Sequence, residues 1–133
     1  MKILKTDIIK AIKLNFPQYA EFVINDHESA IFDLPNSDNY IGGLVIQLYK
    51  DTIWIRAYPP NSGCSLDTIG ETIETMTKIL HDELIIAVGT KGGKWGETTL
   101  NFSNQELILE EGFDYRILSW SGKLDKEIKS NCP

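Results

Sequence analysis

Residues 40–58, YIGGLVIQLYKDTIWIRAY, predict two antiparallel β-strands joined by a tight turn at the KD pair. Both halves are rich in β-branched and aromatic residues, which favour strands. Side chains alternate across a strand, so residues 52–58 divide into a small apolar set and a larger set. The small set, which we expect to face the helices, is Ile53, Ile55 and Ala57. The larger set, which we expect on an open face of the sheet, is Trp54, Arg56 and Tyr58.

The segments around this hairpin predict one domain over residues 1–133. N-terminal helices are expected within residues 1–25, where apolar residues recur at helical spacing until Pro17 interrupts them. Strands including the hairpin occupy residues 29–58, and a central helix capped by Ser65 occupies residues 65–82. Antiparallel strands fill residues 84–120. The expected fold is therefore α+β, with a mostly antiparallel sheet and helices packed on one face.

The C-terminal half contains several candidate strands of different character. Residues 84–89 form a near-continuous apolar run, which is typical of a central strand. Residues 95–102, 106–109 and 115–120 are the other predicted strands, and turns that contain glycine are expected at residues 90–94 and at Gly112. The last segment, residues 123–129, is compatible with an extra strand or with a short helix.

Composition and charge limit the classes of function. The 133 residues are 42% hydrophobic and carry a net charge of −6, which is typical of a soluble globular protein. Residues 17–114 hold sixteen Asp and Glu against five Lys and Arg, between two basic ends. Such a balance disfavours direct nucleic-acid binding, which needs Lys and Arg for phosphates, and suits a basic protein partner. Without a membrane-spanning run or a secretion signal, the expected location is cytoplasmic, with no membrane partner.

Motifs that carry chemistry are weak in this sequence. His27 and His81 are each flanked by acids, but neither belongs to a pair with the spacing of a helical zinc site. Cys64 and Cys132 are expected to be free thiols in a reducing cytosol. The run GTKGGK at residues 89–94 lacks the spacing of a phosphate loop and is read as a hairpin turn. We therefore predict a binding protein rather than an enzyme, with no catalytic residue, metal site or cofactor.

Two tryptophan-bearing runs are the best candidates for recognition. They are KWGETTL at residues 94–100 and SWSGKLD at residues 119–125. Each places a Trp beside glycine, hydroxyl groups and charge near the end of a predicted strand. Trp, Tyr and Arg dominate binding hot spots, although each aromatic is almost as easily explained by packing under the sheet.

Taken together, these residues resemble small bacterial immunity proteins of contact-dependent growth inhibition and related polymorphic toxin systems. The resemblance is carried by the IWIR run at residues 53–56, a loop containing proline, a central helix and the two tryptophan runs. It covers roughly residues 40–128. The resemblance implies a cytoplasmic inhibitor of one cognate toxin domain, often a nuclease, which it blocks at the active site or substrate path.

The acidic balance is compatible with this implication, because a nuclease surface is basic. We expect aromatic anchors on the sheet face and nearby carboxylates that add specificity, so that charge reversal at Glu97 and Asp125 would weaken binding without lowering stability. The predicted partner-binding residues are Trp54, Arg56, Tyr58, Trp95, Glu97, Trp120 and Asp125.

Two other classes of function stay open from the sequence. A secretion chaperone is also small, acidic and cytoplasmic, and usually forms a dimer that holds an extended segment on apolar patches. A small enzyme or ligand-binding domain would need a deep pocket with strongly shifted carboxylates. A monomer favours the immunity function over the chaperone.

Overall fold

The computed structural model describes residues 3–24, 30–36, 39–58 and 62–129, which form two α-helices, a 3-10 helix and eight strands. The helices are α1 (Lys5–Asn15), the 3-10 helix (Pro17–Phe22) and α2 (Ile69–Leu80). The strands are β1 (Ala30–Pro35), β2 (Gly43–Tyr49), β3 (Thr52–Tyr58), β4 (Ser62–Leu66), β5 (Leu84–Lys91), β6 (Lys94–Phe102), β7 (Asp114–Leu118) and β8 (Lys126–Ile128). None of the helices in these ranges has the length and apolar character needed to cross a bilayer.

All strand pairs are antiparallel, and they form two four-stranded sheets. The first sheet runs β1-β2-β3-β4, and the second runs β6-β5-β7-β8. The hairpin predicted from residues 40–58 is confirmed, because Ile46 lies opposite Ile55 and Gln47 lies opposite Trp54. The fold is thus a mostly-sheet α+β structure, whereas the packing of the helices on one face stays a prediction.

One hydrophobic core joins both sheets and both helices. Its members include Ile8 on α1, Met76 on α2, Ile55 in the first sheet and Ile86 in the second, each no more than 2% exposed. Fully burying a side chain of this size stabilises a fold by about 1.5–3 kcal/mol. The sheets also approach each other directly, because β4 contacts β6.

A smaller apolar cluster lies on the other face of the second sheet. Ile85, Ala87, Tyr115 and Ile117 are buried there, under Leu107, Phe113 and Ile128. The second sheet is therefore covered on both faces. This explains why residues 84–89 read as a continuous apolar run, and it confirms their prediction as a central strand, since β5 lies between β6 and β7.

The start of the central helix was predicted wrongly. Ser65 is not its N-cap but lies in β4, opposite Trp54. Thr68 caps α2 instead: its Oγ1 accepts a hydrogen bond of 3.1 Å from the N–H of Glu71 and donates one of 3.0 Å to the Glu71 carboxylate. Ser65 and Thr68 both suit a helix start. Because residues 62–66 pair with β3, Ser65 lies in a strand and Thr68 caps the helix.

The predicted strand at residues 106–109 is also wrong. These residues belong to no helix or strand, and they lie near the outer face of the second sheet, where Leu107 packs on the smaller cluster. Both edges of β5 are already occupied by β6 and β7, and β8 takes the remaining edge of β7. Of the two alternatives for residues 123–129, the structure has a strand, β8.

Candidate functional site

The outward side of the β2–β3 hairpin carries the first group of predicted site residues. In β3 the small apolar set is at most 1% exposed, whereas Trp54 is 39% exposed, so the predicted alternation is confirmed. A shallow cavity of about 290 Å³ lies here, lined by Gln47, Tyr49, Trp54 and Arg56. Tyr49 is 62% exposed. The first sheet thus presents two aromatic side chains, an amide and a guanidinium around one hollow.

Arg56 is half-buried beside these aromatics and lies opposite Val45 in the β2–β3 register. Its guanidinium makes no hydrogen bond or ion pair with any residue in the described parts of the chain. A guanidinium offers five N–H donors in a planar fork and stacks on aromatic faces. Arg56 is therefore free to receive a carboxylate or an aromatic ring from a partner.

The Tyr58 hydroxyl, by contrast, makes a hydrogen bond within the first sheet. The phenol crosses Gly43 on β2 and donates a hydrogen bond to Asp33 Oδ1 on β1. A Cβ at Gly43 would lie 2.5 Å from Tyr58 Cζ, so only glycine leaves room for the ring. The hydrogen bond to Asp33, together with burial and the charge of the carboxylate, raises the pKa of Tyr58 to about 12. Tyr58 is a structural tie across three strands that also borders the open face.

Glu97 has the same kind of internal partner in the second sheet. Tyr115 on β7 reaches across Gly89 on β5 and donates a 2.5 Å hydrogen bond to Glu97 Oε1 on β6. The Tyr115 oxygen in turn accepts a 2.9 Å bond from the N–H of Glu110. Burial first, and the bond to Glu97 second, raise the pKa of Tyr115. The Glu97 carboxylate therefore ties three strands and the segment before β7 together.

Trp95 is the most exposed tryptophan, at 68%, near the start of β6. Its indole Nε1 donates a 2.7 Å hydrogen bond to Thr98 Oγ1. The ring is thus oriented by a local bond, while most of its apolar surface remains in water. An exposed and oriented indole is suited to contact with a partner.

Trp120 and Asp125 organise the turn between β7 and β8. Asp125 Oδ1 accepts bonds from the N–H of Ser119 at 2.7 Å and from its hydroxyl at 3.2 Å. The Trp120 carbonyl accepts bonds from the side-chain amides of Asn36, at 2.8 Å, and Asn39, at 3.2 Å. The indole of Trp120 packs against the main core. These contacts are internal, and they fasten the second sheet to the loop that follows β1.

The seven predicted site residues therefore fall into three groups. Trp54 and Arg56 share one surface with Tyr58 beside them, Trp95 and Glu97 lie on β6, and Trp120 and Asp125 belong to the turn before β8. Within the described ranges, no hydrogen bond, ion pair or ring contact joins one group to another. Their role in binding one partner stays a prediction.

Sequence reasoning missed a larger groove on the outer side of the second sheet. The volume of this groove is about 610 Å³. Ile85 and Ile117 line it from the sheet, and the segment around Leu107 and Leu109 lines one side. Residues 123–128 form the other side, where Leu124 is 42% exposed. The signal in the sequence is the apolar run in ELILE at residues 106–110, most of which the sequence predicts as a strand.

Residues that could support catalysis or metal binding are few in the described parts of the chain. There, no group of three or more His, Cys, Asp and Glu is placed to hold a metal ion. His81 is exposed after α2, whereas His27 and Cys132 lie outside the described residues. Cys64 is a half-buried free thiol on β4, and burial raises its pKa, which disfavours the reactive thiolate.

Comparison of the chain with protein-family models, with curated proteins and with solved structures gives no match. A function must therefore be argued from the surfaces described above.

Proposed function

We propose that this protein is an immunity protein that binds and neutralises the toxin domain of a polymorphic toxin system, acts in the cytoplasm, and is not itself an enzyme. The observation that carries the proposal is the open face of β2–β3, where Tyr49, Trp54 and Arg56 line one shallow hollow and Arg56 has no ion pair with the described residues. These three residue types are the usual anchors of protein interfaces, and truncating one such anchor commonly costs about 2 kcal/mol or more of binding free energy.

The layering of the fold supports the use of this face. Ile8 on α1 and Met76 on α2 share one core with Ile53 and Ile55 of β3. We propose that the helices cover this inner face of the first sheet, which leaves Trp54 and Arg56 on the side away from them. A partner could then reach the aromatic face without displacing a helix.

Charge supports a basic partner such as a nuclease domain. The chain has a net charge of −6, and exposed acids on or next to α2 include Asp67, Glu71 and Glu74. Opposite net charges speed the encounter of two proteins and weaken the wrong pairings, and both effects decline as salt screens them. Arg56 would add local specificity by pairing with one carboxylate of the partner, because a fork of donors recognises a carboxylate in two places at once.

The other predicted residues enter the proposal in two ways. Trp95 is proposed as a further contact, because its indole is exposed and oriented. Glu97, Trp120 and Asp125 are proposed to position the surface, since the polar contacts of all three are made within the chain. Charge reversal at Glu97 or Asp125 should therefore lower stability, contrary to the sequence-based prediction.

The proposal is tested by affinity capture from the source organism with tagged wild-type protein and with a Trp54→Ala, Arg56→Ala variant. The matched control is Leu14→Ala, which removes an apolar side chain that is 79% exposed on α1. We expect the wild type and the control to retain the C-terminal fragment of one large exported protein, and the double variant to lose it. Expression of that fragment alone should stop growth, and co-expression of the wild-type protein should restore it. A retained fragment that does not impair growth would contradict the immunity function.

A secretion chaperone is the second candidate, and the groove beside Leu107 and Leu109 is the observation that favours it. Such a chaperone holds an extended segment on apolar surface and is usually a dimer. Sedimentation of the purified protein separates the two candidates, since a monomer supports immunity and a stable dimer supports the chaperone.

A further inference from the structure

Residues 106–109 lie between β6 and β7 and belong to no helix or strand. Their N–H and C=O groups make no hydrogen bond with any residue in the described parts of the chain, whereas bonds are present on either side. On one side, the Gln105 N–H donates to the Phe102 carbonyl, and on the other, the Glu110 N–H donates to the Tyr115 hydroxyl. Four consecutive residues therefore keep donors and acceptors available for another chain.

Over residues 107–109 the side chains alternate in the way that a strand requires, while Glu106 borders the groove beside Leu107. Leu107 and Leu109 line the groove, and Leu107 also packs on the smaller apolar cluster. Ile108 does not line the groove and is 96% exposed, more than any other large apolar side chain in the described ranges. The sequence ELILE has the composition of a strand, but residues 106–109 pair with none of the four strands of this sheet. Unpaired backbone with exposed β-forming side chains is a template for pairing with another chain.

We propose that residues 106–110 bind an extended segment of a partner protein by β-strand addition. The partner segment has three apolar residues flanked on both sides by Lys or Arg. Centred on Ile108, an antiparallel segment would place residues opposite Leu107 and Leu109 toward the groove, and residues opposite Glu106 and Glu110 beside those carboxylates. Main-chain hydrogen bonds supply affinity in this mode, and the pocket and charges supply selectivity.

Charge favours a basic partner over a second copy of this chain. In a symmetric antiparallel pair centred on Ile108, Glu106 of one copy would lie directly opposite Glu110 of the other, on both sides of the centre. Like charges directly opposite one another destabilise a strand pair. Both carboxylates are exposed, and neither makes an ion pair with the described residues. A partner segment with Lys or Arg opposite Glu106 and Glu110 would instead make two favourable charge contacts.

This inference goes beyond the proposed function and does not depend on it. It rests on the segment before β7, whereas the proposed function rests on the outer face of β2–β3. In a toxin complex, the segment would add a second contact, and without a toxin it would still bind a basic strand.

The test is a fluorescence anisotropy titration of the full-length protein with a synthetic peptide whose core is Lys-Val-Ile-Val-Lys. The first control peptide replaces both Lys by Glu, and the second carries methyl groups on alternate backbone nitrogens. We expect saturable binding of the basic peptide, and binding about tenfold weaker or worse for both controls, since each loses at least 1.4 kcal/mol. Equal binding of the basic and the N-methylated peptides would overturn strand addition.

Two variants locate the site and test the charge rule. Ile108→Pro removes an N–H and should abolish binding, and a Glu106→Lys, Glu110→Lys variant should prefer the Glu-flanked peptide. The charge control is Glu21→Lys, at an exposed site on the 3-10 helix. It should weaken binding of the basic peptide far less than the double variant does. Circular dichroism must show that each variant keeps its sheet content.

A dimer that Ile108→Pro disrupts would overturn the choice of partner, because it would identify a second copy as the occupant. Trp54→Ala should leave peptide binding unchanged, so failure of this inference and failure of the proposed function remain distinguishable.

Discussion

Tyr115 donates a 2.5 Å hydrogen bond to Glu97 across the bare backbone of Gly89. Tyr58 repeats this arrangement in the other sheet, where it crosses Gly43 to reach Asp33. In both sheets a phenol uses the space above a glycine to join the outer two of three neighbouring strands to each other. The two ties explain why Tyr58 and Glu97, which were predicted to contact a partner, have polar atoms that are already engaged.

Loss of the Tyr115 hydroxyl should destabilise the second sheet. Tyr115→Phe keeps the ring over Gly89 but leaves Glu97 without its donor and the Glu110 N–H without its acceptor. Both bonds are partly buried; a neutral hydrogen bond contributes about 0.5–1.5 kcal/mol and one to a charged group about 1.5–3 kcal/mol, so a loss of about 1–3 kcal/mol is expected. Urea denaturation should show a loss of this size in the free energy of unfolding. An unchanged unfolding midpoint would show that water replaces the hydroxyl at no cost.

Asp125 should behave as a structural residue. Its carboxylate accepts two bonds from Ser119, which is fully buried, so Asp125→Ala should lower the free energy of unfolding by about 1–3 kcal/mol. The matched control is Glu127→Ala, because Glu127 is exposed and makes only a 3.7 Å ion pair with Lys129. That variant should change stability by about 0.5 kcal/mol or less. If the two variants change the thermal unfolding midpoint equally, Asp125 contributes no more to stability than an exposed residue does.

Stability should fall in strongly alkaline solution because of Tyr58. Its pKa is raised from 10.0 to about 12 in the folded state, chiefly by the hydrogen bond to Asp33. The neutral phenol is thus favoured by folding, so its contribution is complete below pH 10 and is lost as the pH rises toward 12. Titration of phenolate absorbance should show raised pKa values for Tyr58 and Tyr115, and Tyr58→Phe should remove one of these two transitions. Asp33→Asn should lower that pKa toward its ordinary value, and a pKa unaffected by Asp33→Asn would contradict the assigned cause.

Two glycine substitutions should change stability in opposite directions. A Cβ at Gly63 on β4 would lie 1.9 Å from the Ile55 carbonyl oxygen and 2.8 Å from Arg56 Cα, so the backbone of β3 or β4 must move. Gly63→Ala should cost more than about 2 kcal/mol, as strained substitutions in packed regions do. Gly70→Ala on α2 meets no atom within 4 Å and should stabilise by up to about 1 kcal/mol. Thermal unfolding of the two variants measures both effects, and a neutral Gly63→Ala would contradict the close approach.

The sequence predicted local structure better than the pairing of distant segments. Alternation in β3 was correct because inward Ile53 and outward Trp54 follow directly from a period of two residues. The cap of α2 was wrong because Ser65 and Thr68 are equally suitable, and only the pairing of β4 with β3 distinguishes them. The strand at residues 106–109 was wrong because the sequence does not show that both edges of β5 are taken. Likewise, the partner of Glu97 is Tyr115, eighteen residues away, and that contact arises only when β5 brings them together.

The most direct test of the proposed function is the affinity of the captured toxin domain for the wild-type protein, for Trp54→Ala and for Leu14→Ala, measured by calorimetry. We expect Trp54→Ala to weaken binding by about 30-fold or more, which corresponds to about 2 kcal/mol. Leu14→Ala should bind within about twofold of the wild type, since Leu14 lies on α1 and is 79% exposed. Equal affinity of Trp54→Ala and the wild type would show that the open face of β2–β3 does not carry the interaction.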